Sequence, residues 1–215
     1  MKPRVKICCI SSLLEAKLAI EAGASALGLV GNMPSGPGVI SDELIAQIAK
    51  AVPPPVATFL LTSETTPEAI IAHHQRVHTT TVQIVDALSE GSYQQIREAL
   101  PGVKLVQVIH VIDEKTVEEA VLAAEFVDAI LLDSGNPNLK IKELGGTGRV
   151  HNWAISRKIR ESIPVPLFLA GGLNVDNVRE AIETVEPFGL DLCSSVRTNG
   201  QLDSAKLEAF FAAIG

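Results

Sequence analysis

Residues 127–133 read VDAILLD. The run is short, apolar almost throughout, and ends on an aspartate. It lacks the polar alternation of a strand with one face in water, and it is too short for an ordinary helix. A strand covered on both faces, as in a parallel sheet, fits it. Seven further runs have the same character: RVKICCI (4–10), ALGLVG (26–31), VATFLL (56–61), TVQIVD (81–86), KLVQVIHV (104–111), VPLFLAG (165–171) and FGLDLCS (188–194).

Between the runs lie helical patterns. LLEAKLAIEAG (13–23) places Leu14, Leu18 and Ala22 four apart and stops at Gly23. SDELIAQIAKAV (41–52) opens on Ser41, NVDNVREAIETV (174–185) on Asn174 as its cap, and DSAKLEAFFAAI (203–214) on Asp203. Parallel strands need crossover connections, and right-handed strand–helix–strand units tile naturally. Eight near-equal units predict one domain over residues 1–215: an α/β fold, a (β/α)8 TIM barrel of eight parallel strands alternating with helices. The competing arrangement is an open doubly wound sheet. No glycine fingerprint follows the first run, which favours the barrel. VPPPV (52–56) reads as a stiff turn, not a domain boundary.

At 215 residues and 47% apolar composition the chain can build one sizeable core. A net charge of −7 argues against nucleic acid or an anionic membrane as a partner, though not against a small anionic ligand at a local positive site. MKPRVK leads directly into the first run, no apolar stretch is long enough to span a bilayer, and three cysteines fit a reducing compartment. A cytoplasmic protein, monomer or homodimer, is expected. No C-x-x-C spacing suggests a metal, and no cofactor is expected. His73, His74 and His78 read as solvated histidines of a helix end.

In such a barrel the active site lies at the C-terminal ends of the strands. Alternation turns Lys6 and Cys8 inward and Val5, Ile7 and Cys9 outward. A lysine inside a barrel needs a partner. Its ammonium favours a thiolate at Cys8, which makes Cys8 a candidate base, with Cys9 a small apolar filler against a helix. Asp133 closes its run at the same rim, as a helix cap or a general acid/base. The connection that follows, NPNLKIKELGGTGRV (136–150), is long and glycine-rich, as a mobile lid would be. Gly171 and Gly172 allow close backbone approach to a ligand, and Ser194 and Ser195 sit in the turn after the last run; the loops after strands 7 and 8 commonly hold phosphate. Asp191 is expected inward. Whether Lys6 pairs with Asp191 or with Asp133 stays open.

Taken together, VKICCIS, LLDS…GGTG…W, LAGGLNVDNVREAI and DLCSSV resemble the phosphoribosylanthranilate isomerase family of tryptophan biosynthesis. That family's pattern runs V-K-I-C-G-I-T, L-D-(S/T), G-G-T-G-x-x-F-D-W, (A/S)-G-G-L-x-x-x-N-V and D-x-S-S-G-V-E. The resemblance spans nearly the whole chain. It implies a cofactor-free Amadori rearrangement of an N-linked aminoaldose phosphate to a 1-amino-1-deoxyketose phosphate. Cys8 would be the general base and Asp133 the general acid. Lys6, Gly171, Gly172, Asp191, Ser194 and Ser195 would form the substrate and phosphate site.

Several positions depart from the pattern. Cys9 stands where the family has glycine. In NMPSGPGVIS (32–41), Gly38 stands at the place of an arginine that engages the anthranilate end of the substrate, and no Lys or Arg occurs between Lys17 and Lys50. Val85 and Asp86 replace a His-Gly pair, HNW (151–153) replaces F-D-W, and Ser195 replaces a glycine. Losing a charge-assisted partner for a benzoate-type carboxylate costs on the order of 2–3 kcal/mol. Either Arg149 or Arg197 supplies the charge, or the chain is a paralogous isomerase or lyase of another phosphosugar, or a non-catalytic barrel that binds a phosphosugar.

Overall fold

Each short apolar run becomes one stave of a closed parallel barrel. The computed structural model describes residues 2–135, 142 and 149–215. The staves are β1 (Arg4–Ile7), β2 (Ala26–Val30), β3 (Ala57–Thr62), β4 (Thr81–Ile84), β5 (Lys104–His110), β6 (Ala129–Asp133), β7 (Leu167–Leu169) and β8 (Gly189–Leu192). They pair in sequence order, and β8 returns to β1 with Lys6 opposite Asp191. That pairing excludes the open sheet.

The outer layer is α1 (Leu13–Ala22), α2 (Asp42–Ala51), α3 (Pro67–Val77), α4 (Tyr93–Ala99), α5 (Lys115–Ala124), α6 (Trp153–Ser162), α7 (Val178–Val185) and α8 (Ser204–Ala213). Ser12, Ser41, Thr66 and Asp203 cap α1, α2, α3 and α8 through their side-chain oxygens. After β8 come a 3-10 turn (Ser194–Val196) and a small hairpin, β9 (Arg197–Thr198) and β10 (Gln201–Leu202). No helix among the described residues is long and apolar enough to cross a membrane.

Strand alternation sorts the core into two layers. Ile7, Leu27, Leu60, Ile84, Leu132 and Leu190 face outward and pack with helix residues such as Ile48, Ile70 and Leu207. The opposite set, including Val30, Phe59, Leu61, Val106, Leu131 and Phe168, fills the barrel. Phe59 and Phe168 meet edge to face with centroids 5.9 Å apart. A Cβ at Gly189 would lie 2.5 Å from the Phe168 ring, so the glycine makes that contact possible.

Three local expectations are corrected. The buried face of α1 is Glu15, Ala16 and Ala19, whereas Leu14 is exposed. Small residues let this helix lie close to the barrel, and Glu15 is fully engaged. Its carboxylate accepts two hydrogen bonds from Arg197 (2.8 and 3.1 Å), one from the Leu202 N–H (2.8 Å) and one from the Ser11 N–H (2.9 Å). His73 and His74 are buried, not solvated: His73 bridges Thr62 and Asp42, over a Gly31 that leaves room for its ring, and His74 bonds the Thr79 carbonyl. Asn174 caps the turn at 175–177 through the N–H groups of Asp176 and Asn177, and that turn runs into α7, which itself starts at Val178.

Lys6 is wholly buried and its Nζ lies 2.9 Å from Asp191 Oδ2. Removing one partner of such a pair leaves an uncompensated charge, whereas removing both need not destabilise. Lys6→Met is therefore expected to lower the unfolding free energy by about 3–5 kcal/mol. Lys6→Met/Asp191→Leu should recover most of that loss. Urea denaturation of the wild type and both variants checks this; a double variant as unstable as the single one refutes it.

Candidate active site

At the C-terminal ends of the strands opens a cavity of about 460 Å³. Cys8, Asp133, Gly171, Gly172, Asp191, Ser194 and Ser195 all line it. Lys6 is the exception among the expected site residues. It lies beneath the cavity, its ammonium held by Asp191 and 5.4 Å above the Phe59 ring centroid. Burial alone would pull Lys6 down, but the adjacent Asp191 carboxylate, with a smaller contribution from Cys8, keeps it above its ordinary value.

Asp133 ends β6, facing the cavity with 8% exposure. Its Oδ1 accepts the Ser134 N–H at 2.7 Å. Burial pushes its carboxyl up to about 6, despite the Ser134 N–H and Lys6, with Asp191 adding to the rise. A fraction of Asp133 is thus protonated near neutral pH and can give a proton to a bound molecule.

Gly28 makes this arrangement possible, and it was not singled out from the sequence. A Cβ there would lie 2.9 Å from Cys8 Sγ and 3.0 Å from Lys6 Nζ. Its place on an inward position of β2, opposite two inward polar side chains, was the available signal. Gln83 is a second omission. It is buried on β4, lines the cavity, and its Oε1 has no hydrogen-bond partner among the described residues.

Cys9 does not pack against a helix. Its backbone is left-handed at φ 62°, which breaks the strand alternation after Cys8, and its side chain joins the cavity wall. Its thiol contacts the Pro37 carbonyl at 3.6 Å and the Cys193 sulfur at 2.7 Å. A Cβ at Gly38 would lie 2.4 Å from Cys9 Cβ, and Gly38 itself has φ 83°. The two departures at positions 9 and 38 are therefore one packing arrangement: a side chain at 9 occupies the space in which a side chain at 38 would begin.

None of the described residues lining the cavity is Lys or Arg. Arg197 does not line this cavity, though it lines a smaller adjoining one with Pro37 and Gly38. It donates to Glu15 and to the carbonyls of Cys8, Cys9 and Gly200. Arg149 is exposed, and its backbone packs where Cβ atoms of Gly171 and Gly172 would lie. Both glycines have positive φ, and this close crossing leaves no room for a side chain at either. Val85 is buried in the cavity wall, and Asp86 pairs with Lys142. Ser195 sits in the 3-10 turn without a positive φ, so its side chain is tolerated there. Its Oγ is buried without a partner among the described residues. The glycine-rich connection read as a lid, with its G-G-T-G at 145–148, lies largely outside the described residues.

A closed parallel barrel with a thiol, a perturbed carboxyl and a serine-bearing turn at one mouth has the build of a barrel enzyme. The family model described as N-(5'-phosphoribosyl)anthranilate (PRA) isomerase matches residues 5–213. The chain is 32% identical over 204 residues to the N-(5'-phosphoribosyl)anthranilate isomerase of Methanocella arvoryzae, covering 95% of this chain and 93% of that one. It is 34% identical to isomerase 2 of that name from Methanosarcina mazei, at 96% and 92% coverage. The crystal structure of the phosphoribosyl anthranilate isomerase of Thermotoga maritima superposes with a TM-score of 0.81 at 31% identity, over 99% of this chain and 98% of that one. A crystal structure of such an isomerase holding reduced 1-(o-carboxyphenylamino)-1-deoxyribulose 5-phosphate superposes at 0.78 with 29% identity, at the same coverage. The chain belongs to the N-(5'-phosphoribosyl)anthranilate isomerase family, and it is an isomerase.

Two measurements test the geometry of the mouth. Gly28→Ala should displace the Cys8 thiol and cut turnover by roughly 100-fold, with circular dichroism unchanged. A Gly28→Ala variant within threefold of wild type would remove the steric argument. Asp133 titrates higher folded than unfolded, so its contribution to stability is full below about pH 4 and is lost as pH rises through about 6. Asp133→Asn should therefore gain on wild type across that window, by on the order of 2–3 kcal/mol at neutral pH. Denaturation at several pH values reads the gap; a gap independent of pH refutes it.

Proposed function

We propose that this chain converts N-(5'-phosphoribosyl)anthranilate into 1-(o-carboxyphenylamino)-1-deoxyribulose 5-phosphate, an Amadori step of tryptophan biosynthesis, with Cys8 as base and Asp133 as acid. The observation that carries the reading is the placement of Cys8 and Asp133 on one cavity, with burial holding the Asp133 carboxyl up to about 6.

The chemistry begins with two proton transfers, and a tautomerisation that moves the hydroxyl proton off O2 and a proton onto C1 completes it. Asp133 protonates the furanose ring oxygen as the C1–O bond breaks, and the nitrogen lone pair forms the C1=N iminium. Cys8 thiolate then removes the proton from C2, and those electrons neutralise the iminium to give an enolamine. Tautomerisation places hydrogen on C1 and the carbonyl at C2. Oxidation at C2 is balanced by reduction at C1 within one molecule, so the step calls for no external redox partner. Lys6 keeps a positive charge below Cys8, and its pairing with Asp191 holds both strands in register beneath the sugar. Gly171, Gly172, Ser194 and Ser195 present backbone N–H groups, and the Ser195 hydroxyl, to the phosphate.

One observation favours a second reading. Among the described residues, the cavity wall formed by Met33, Ser35 and Pro37 carries no cation for an anthranilate carboxylate. A phosphosugar amine without that carboxylate would suit it as well.

Turnover of phosphoribosylanthranilate, followed by anthranilate fluorescence, separates the readings. Cys8→Ala and Asp133→Asn should each lower kcat by roughly 100-fold or more, and the wild-type gene should rescue a tryptophan auxotroph that lacks this isomerase. Activity of either variant within tenfold of wild type overturns the assigned roles. An inactive wild type that still binds inorganic phosphate overturns the substrate.

A further inference from the structure

Three thiols meet at one side of the mouth, and the proposed chemistry uses one of them. The other two, Cys9 and Cys193, are 184 residues apart in sequence, and their sulfurs lie 2.7 Å apart. Cys9 is fixed from several sides. Gly38 abuts its Cα and Cβ, Pro37 takes its thiol, and its carbonyl accepts from Arg197 Nη2 at 2.6 Å. Cys193 follows β8 directly, is half-buried, and lines the cavity. A disulfide bond measures about 2.05 Å, so the sulfurs need only a small approach. The family pattern has glycine and serine at these two positions, so neither sulfur belongs to the shared chemistry.

We propose that Cys9 and Cys193 form a reversible dithiol–disulfide site, oxidised by small hydroperoxides, and that closing it switches off the adjacent mouth.

The hydrogen bond to Cys9 lowers the Cys193 thiol, with Arg197 adding to the effect, and pushes Cys9 up. Cys193 is also the more exposed of the two sulfurs, whereas Cys9 is buried, so Cys193 meets the oxidant as the attacking thiolate and Cys9 is the resolving thiol. The Cys193 thiolate attacks the terminal oxygen of the hydroperoxide, the O–O bond breaks, and a sulfenic acid forms while the alkoxide or hydroxide leaves as the alcohol or water. Cys9 then attacks the Cys193 sulfur, the S–O bond breaks, and the hydroxide leaves with the Cys9 proton as water. Two thiols lose two electrons and two hydrogens, and the hydroperoxide gains them. A dithiol reductant reverses the step by exchange. The bond would tie the head of the 194–196 turn, with Ser194 and Ser195, to the residue beside Cys8.

The effect on turnover rests on the proposed function; formation of the bond does not. Wild type, Cys8→Ala, Cys9→Gly and Cys193→Ser are treated with a slight excess of hydrogen peroxide, and each is compared with its own untreated sample. Intact mass should fall by two hydrogens in wild type and in Cys8→Ala, with fragmentation placing the bond between residues 9 and 193. Neither Cys9→Gly nor Cys193→Ser should form it. Wild-type turnover should fall roughly tenfold or more and return with dithiothreitol. Unchanged free thiols in Cys8→Ala, or a disulfide in Cys9→Gly, overturns the site. A wild-type disulfide with full turnover overturns the switch. Should wild type turn over no phosphoribosylanthranilate, the mass measurement alone decides the site.

Discussion

The buried ion pair between Lys6 and Asp191 is the constraint on which the rest of the molecule depends. It sits on the seam where the first strand meets the last, in register, with the lysine side chain wholly buried. Charges so placed must be matched, because desolvation is too costly for either alone. The match aligns β1 with β8 and thereby closes the barrel at one level. It also sets the field beneath the mouth. Asp133 feels Asp191 and Lys6 with opposite signs, so burial is left to dominate its protonation. The glycine at position 28 is the steric counterpart: without a side chain, it admits both the ammonium and the Cys8 sulfur.

A second set of interactions rebuilds the rim. Cys9, Gly38, Arg197 and Glu15 depend on one another. The left-handed Cys9 backbone aims its carbonyl at Arg197, Arg197 is anchored by Glu15, and Glu15 in turn holds the N–H groups of Ser11 and Leu202. Positions 9 and 38 share one space, so the arginine of the family pattern and the cysteine seen here are mutually exclusive in this backbone. The departures at 9 and 38 are thus one alternative packing of the loop between β2 and α2 against the start of the chain.

What sequence reading could reach follows from how local each signal is. Uniformly apolar runs and their spacing carry the barrel, because burial on both faces is written into each run. Inward Lys6 and Asp191 follow from alternation, and the need for a partner follows from the buried charge; the choice of Asp191 over Asp133 is fixed only by the register of β1 on β8. Alternation fails at Cys9, since a positive φ turns the chain out of the strand, and nothing in CCI announces that. Leu14 misled because apolar spacing says nothing about how closely a helix approaches. Ala16 and Ala19 permit a contact that leucines would prevent. His73 became legible only once Gly31, Thr62 and Asp42, from three different segments, were seen around it.

The phenyl rings of Phe59 and Phe168 stop the lower end of the barrel. Among the described residues, what remains is a cup that opens at its upper rim. Whatever small molecule enters must leave by the threshold it crossed, and its successor waits outside until it has gone. Entry and exit are one route, so the residues that frame the rim govern the escape of a finished molecule as strictly as the admission of a new one.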